Sequence, residues 1–154
     1  MKNESVNTEE WRLKAFADLT PHELYAILRL RIEVFVIEQT CIFQDLDDKD
    51  QHCFHLMGWQ NGQLMAITRL VPAGISYTEP SIGRVATSPS ARRAGWGRRL
   101  MQESIRQTEN LFGKQSIRIG AQLYLKKFYE SFGFIQSSEV YLEDGIEHIE
   151  MIRH

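Results

Sequence analysis

Apolar and polar residues alternate from Trp11 through Leu13 to Ala15, with Arg12 and Lys14 between them, which predicts a half-buried first strand. The period then changes. Thr20-Pro21-His22-Glu23 combines a capping box with proline at the first helical position, so a helix begins there. Its stripe of Leu24, Ile27, Leu28 and Leu30 is spaced to pack on a sheet. Val34, Val36 and Ile37 bring β-branched residues together, and the helix should give way by Gln39. Residues 40–54 are rich in aspartate and read as a solvated acidic loop.

Two apolar runs, residues 54–59 and 64–71, are joined by Asn61-Gly62, a strong hairpin signal. Another strand covers 82–87. The helix after it, to about Leu111, carries Leu100, Met101, Ser104, Ile105 and Thr108 on one face. From Ser116 a strand leads into a short helix that stops at Gly133, and Asp144-Gly145 turns a second hairpin between 140–141 and 148–152. The order is strand, helices, three strands, helix, strand, helix, two strands, a mixed α/β pattern.

Composition adds limits. The 154 residues suit one domain, read as a flexible polar segment at 1–10 followed by a single unit over 11–154. A net charge of −2 disfavours nucleic acid, which needs a broad basic face. The first ten residues lack the apolar core of a signal peptide, and no run approaches a membrane span. Two cysteines are too few for a disulfide framework, which fits a cytoplasmic protein.

Chemistry concentrates at residues 85–101, where Val85, Ala86 and Thr87 run through Ser88-Pro89 into Arg92-Arg93-Ala94-Gly95-Trp96-Gly97-Arg98-Arg99 and a helix. Free N–H groups at a helix start, with the dipole behind them, form a seat for a pyrophosphate. Gly95 and Gly97 remove side chains that would hold a phosphate away and permit positive φ angles; Arg92, Arg93, Arg98 and Arg99 supply countercharge. Leu100 stands where a dinucleotide fingerprint needs its third glycine, and a P-loop's Gly-Lys-Ser/Thr is absent. Arg92-x-x-Gly95-x-Gly97 instead resembles the acetyl-CoA loop of the GNAT N-acetyltransferase superfamily.

A second segment strengthens that resemblance. Phe128-Tyr129-Glu130-Ser131-Phe132-Gly133-Phe134 is similar to the superfamily's second acyl-CoA segment, in which the tyrosine faces the departing thiol. Residues 30–39, Phe43-Gln44-Asp45-Leu46-Asp47 and the stretch from Glu143 to Met151 further resemble the ElaA-like branch, so the likeness spans about residues 20 to 151.

The resemblance implies a GNAT acyl-CoA N-acyltransferase fold, α/β (α+β), with a mixed, mostly antiparallel sheet of about seven strands, splayed between its fourth and fifth, and about four helices. It implies acetyl-CoA as acyl donor and a primary amine, on a small molecule or peptide, as acceptor. Val85 to Thr87 would lie along the pantetheine arm, with Arg92 to Arg98, Gln122, Phe128 and Tyr129 also touching the cofactor. Tyr129 would protonate the leaving thiolate. Many relatives carry a glutamate where this chain has Arg84 and Val85, so the base is open among Glu38, Asp45, His55 and His148. Arg31, Glu33, Glu38 and Gln39 would line the acceptor site. The competing class is a module that binds acyl-CoA without turnover. No metal is expected: Cys41, His52, Cys53 and His55 lack a Cys-x-x-Cys pair, and residues 45–50 lack the glycine and glutamate of a calcium loop. Exposed strand edges allow a homodimer.

Overall fold

The computed structural model describes residues 8–154. Strand β1, Glu9–Ala15, starts inside the segment read as flexible, two residues before the expected boundary at residue 11. It opens an antiparallel sheet with β2 (Phe54–Gln60), β3 (Gln63–Val71) and β4 (Ser81–Thr87), in the order β1-β2-β3-β4. A second sheet holds β5 (Ile117–Gln122), β6 (Ile135–Gln136) and β8 (Ile146–Arg153) in the order β5-β8-β6, and β7 (Tyr141–Glu143) pairs with β8. The extra strand is β6, a two-residue piece with no readable alternation. Asn61-Gly62 and Asp144-Gly145 turn their hairpins with positive φ at both positions, as the sequence predicts.

Helix α1, Pro21–Arg31, carries the expected capping box: Glu23 N–H donates to Thr20 Oγ1 at 3.1 Å, and Thr20 N–H donates to Glu23 Oε1 at 2.9 Å. Beyond Arg31 the chain continues as a π-helical segment, Ile32–Glu38. Helix α2, Trp96–Phe112, buries Leu100, Met101, Ser104, Ile105 and Thr108, the face read from its spacing. Alternating side chains place the two helices against different clusters. Met57, Ile67 and Ala86 join Ile27 and Leu30 of α1, while Leu56 and Ala66 join Trp96 and Leu100 of α2.

The sheets meet at the beginnings of β4 and β5. Arg118 N–H donates to the Pro80 carbonyl at 3.0 Å, but no ladder follows, so the strands diverge toward Thr87 and Gln122. This is the expected splay, and a cleft of about 870 Å³ opens there. In β4 a bulge sets Arg84 and Val85 opposite Thr68 alone, with Ile67 facing Ala86 and Arg69 facing Gly83. Arg84 takes φ +47°, a strained setting for a residue with a side chain.

What holds Arg84 is a buried ionic cluster, and it corrects the reading of residues 40–54 as a solvated loop. Asp45 and Asp50 are 3% and 6% exposed. Arg31, expected at the acceptor site, is 1% exposed: its Nε donates to Asp45 Oδ2 at 2.9 Å and its Nη1 to Asp50 Oδ1 at 2.8 Å. Arg69 pairs with Asp47 and Asp50, and Arg84 reaches Asp45 Oδ1 at 2.9 Å and the Asp45 carbonyl at 2.8 Å. Three guanidinium groups and three carboxylates thus neutralise one another, with Arg31, Asp45, Asp50 and Arg69 buried and Asp47 and Arg84 at the edge of the cleft. Periodicity cannot show this, because each aspartate looks like loop polarity until the arginines of α1, β3 and β4 are placed beside it.

Candidate active site

The α2 N-terminus is built as a seat. Gly95 is the N-cap at φ +79°, and no side chain caps the helix, so its first N–H groups keep their donors for an external acceptor. Arg93 also takes a positive φ, +66°. Gly97 does not: its φ is ordinary and a Cβ there would come no nearer than 4.0 Å to Phe128, so of the two glycines only Gly95 needs left-handed freedom. Arg92, Arg93, Ala94 and Gly95 are exposed at this seat. Trp96 is not available to a ligand. It is 2% exposed, with its ring 5.5 Å from that of Trp11, and serves the core; the apolar face of α2 demands a large residue there.

The cleft passes from this loop between the diverging strands. Val85, Ala86, Thr87, Arg92, Gly97, Gln122, Phe128 and Tyr129 line it, together with Glu38, Gln39 and His148 from the opposite side. Arg98 turns away toward Ser131 at 3.4 Å and lies over the Phe132 ring. Glu33 is exposed and outside the cleft, because the π-helical segment turns Val34, Phe35, Glu38 and Gln39 inward instead. Gln122 Nε2 donates to Gln39 Oε1 at 3.3 Å, joining the end of β5 to that segment.

Tyr129 comes from α3, Lys126–Glu130, which is followed by a turn through Gly133 (φ +91°), with Phe134 buried against the tyrosine ring at 6.1 Å. The residue is 5% exposed, and burial, aided by Tyr124, pushes its phenol above the usual range. Its hydroxyl has no hydrogen-bond partner among the described residues, although it lies on the cleft wall.

His148 occupies β8, opposite Gln122 in one register and Tyr141 in the other, and its ring stacks on Tyr141. Nδ1 lies 2.7 Å from the Ile146 carbonyl; a carbonyl only accepts, so Nδ1 carries a hydrogen. Nε2 lies 3.3 Å from Glu143 Oε2. Two other base candidates fall away. Asp45 is locked in the ionic cluster. His55 is buried outside the cleft, its Nε2 donating to the Asp50 carbonyl at 2.9 Å, and burial lowers its pKa so that it is neutral.

Sequence reasoning missed several lining residues: Phe43, Asp47, Lys49, Tyr77 and Glu143. Glu143 precedes a turn that was legible, and the turn places it; Tyr77 lies in an irregular stretch with no period to place it. Tyr77 is held close to Gly120, where a Cβ would come within 3.0 Å of its hydroxyl, and burial pushes its phenol up to about 12.

A splayed α/β sheet with a helix N-terminus, arginine loop and buried tyrosine around one cleft has the architecture of an acyl-CoA N-acyltransferase fold, and the comparisons give it a family. Residues 17–154 match the model of the acetyltransferase (GNAT) domain, and the chain belongs to that family. Within it the chain is ElaA-like. Protein ElaA of Escherichia coli is 39% identical over 146 residues, 94% of this chain and 95% of that protein. The crystal structure of E. coli ElaA superposes with a TM-score of 0.89, at 38% identity, over 96% of this chain and all of that one. An acyl-CoA N-acyltransferase from Pseudomonas aeruginosa gives a TM-score of 0.91 at 42% identity, covering 96% and 100%. Among the described residues no helix is long and apolar enough to cross a membrane.

Proposed function

We propose that the protein is an acetyl-CoA-dependent N-acetyltransferase that acts on a primary amine, with direct attack of the amine on the thioester. The observation that carries this reading is the Tyr129 hydroxyl, unpartnered among the described residues on the wall of a cleft that begins at the open N-terminus of α2. Bound there, acetyl-CoA would supply an activated acetyl group as a thioester.

The chain's residues fit such a group. The first-turn N–H groups of α2 and Arg92 would hold the pyrophosphate; Val85, Ala86 and Thr87 offer backbone groups to the pantetheine amides, and Gln122 and Phe128 line the same passage. Tyr129 keeps its proton at neutral pH and would give it to the departing sulfur. His148, with its Nδ1–H on the Ile146 carbonyl, would take the acceptor's proton on Nε2, with the exposed Glu143 carboxylate turned aside to admit the amine. After the transfer the Nε2–H would return to the Glu143 carboxylate, which would stabilise the imidazolium. Glu38 and Gln39 lie on the acceptor side. The charge-balanced cluster under β4 would stay outside the chemistry and hold the bulge at Arg84 and Val85.

A panel of amines with acetyl-CoA tests the reading. Turnover is expected for the intact protein, and Tyr129→Phe should lower kcat by about 10²- to 10⁴-fold, the usual contribution of a general acid, with coenzyme A affinity nearly unchanged. Coenzyme A binding without turnover across the panel would contradict it in favour of a binding module, and an undiminished kcat in Tyr129→Phe would remove the tyrosine's role.

A further inference from the structure

Glu38 and Arg92 form an ion pair across the cleft they both line, with Arg92 Nη2 2.7 Å from Glu38 Oε1. Glu38 ends the π-helical segment, and Arg92 belongs to the loop before α2. The only other contact of that guanidinium among the described residues is the Thr87 carbonyl at 3.4 Å. Both side chains are about two-fifths exposed, at 40% and 41%, so the pair can exchange partners with little rearrangement. Two other carboxylates of the cleft, those of Asp47 and Glu143, have partners elsewhere. Asp47 is gripped by Arg69 and Arg84, and Glu143 Oε2 lies 3.3 Å from His148 Nε2. Those partners lie away from the loop and keep their carboxylates whatever occupies the α2 N-terminus.

We infer that Glu38 is a gated ammonium site: a pyrophosphate at the α2 N-terminus takes Arg92 from it, and the released carboxylate receives the ammonium of the acceptor. The proposal rests on the acetyltransferase reading above. Its logic is electrostatic. A phosphate offers Arg92 a charge-assisted, bidentate partner. Glu38 is then left without a counterion beside a new anion, and repulsion between like charges favours a cation in the vacated position. An acceptor ammonium meets that need and is drawn to the reacting end of the cleft. By linkage, each ligand then tightens the other through this one pair.

Calorimetry with coenzyme A tests the exchange on the wild type, Glu38→Gln, Arg92→Gln and the double variant. Glu38→Gln should tighten coenzyme A by roughly two- to fivefold, the range an exposed ion pair can shift. Arg92→Gln should weaken it, and Glu38→Gln should add nothing in the Arg92→Gln background. Titration of 1,4-diaminobutane followed by NMR should then show tighter binding with saturating coenzyme A in the wild type and no such gain in Glu38→Gln. Unchanged or weaker coenzyme A binding in Glu38→Gln, or diamine affinity indifferent to coenzyme A in the wild type, would overturn the gating proposal alone. Absence of coenzyme A binding by the wild type would overturn the acetyltransferase reading and this proposal with it.

Discussion

Arg31→Met removes the centre of the buried cluster. Arg31 makes four hydrogen bonds there: to Asp45 Oδ2 at 2.9 Å, to Asp50 Oδ1 at 2.8 Å, to Asp50 Oδ2 at 3.2 Å and to the Asp45 carbonyl at 3.3 Å. Methionine fills similar volume but leaves three aspartates facing two arginines, with Asp45 only 2% exposed at its side chain. An unmatched buried carboxylate of this kind costs about 3–5 kcal/mol. At roughly 2–4 °C per kcal/mol for a chain of this size, the melting temperature should fall by roughly 6–20 °C. Urea denaturation, read by tryptophan fluorescence and circular dichroism, gives the free energy directly. Adding Asp50→Asn restores two arginines to two carboxylates, and the double variant should be more stable than Arg31→Met alone. A loss below about 1 kcal/mol, typical of a solvated pair, or a further loss on adding Asp50→Asn, would refute the claim that charge balance in this cluster holds residues 45–50 beneath the cleft.

Other consequences follow from the same geometry. A Cβ at Gly58 would sit 2.7 Å from Trp96 and 2.8 Å from Trp11, so Gly58→Ala should cost about 1–3 kcal/mol by overpacking, measured by urea midpoint; a neutral result would mean the two rings can part freely. Thr20→Ala removes half of the α1 capping box and should cost about 0.5–2 kcal/mol in the same assay, with no loss indicating that water replaces the cap. Acid should destabilise the fold in two stages. Burial holds His55 below its usual 6.5, so stability should begin to fall below that pH as the unfolded chain takes up the proton. Glu23, held at about 2 against burial by Lys14, Thr20 and Arg12, and Asp47 and Asp50, lowered against burial by their arginines, contribute stability above about 4.5 that disappears as pH falls toward 2. A urea midpoint that stays level from pH 7 to pH 3 would contradict both stages.

What the sequence revealed divides along physical lines. Elements set by local signals were legible: the Thr20 box, the Asn61-Gly62 and Asp144-Gly145 turns, the Leu100 to Thr108 face and the Gly133 turn each depend on residues close in the chain. The uncapped α2 N-terminus at Gly95 and the position of Tyr129 on the cleft were legible for a related reason, since a helix N-terminus and its flanking glycine are contiguous. Arg31 was misplaced because its partners lie 14 and 19 residues away in an irregular loop, and only the tertiary fold reveals that they are buried. Glu33 was misplaced by the helical segment itself. An α-helix carried through 32–38 has a different face from the π-helical one, and no residue type in that stretch dictates the change. Trp96 lies inside the motif, yet the packing of α2 claims it first.

The central claim is that the α2 N-terminus and the splayed strands bind acetyl-CoA. Calorimetric titration with acetyl-CoA, with NAD and ATP as controls and Gly95→Glu as the variant, tests it most directly. Gly95 holds φ +79° at the N-cap, so a glutamate there both strains the turn and places a carboxylate at the seat. The account predicts selective binding of acetyl-CoA by the intact protein and its loss in a Gly95→Glu variant that still melts cooperatively. Equal affinity for the controls, or acetyl-CoA binding undiminished in the variant, would contradict it.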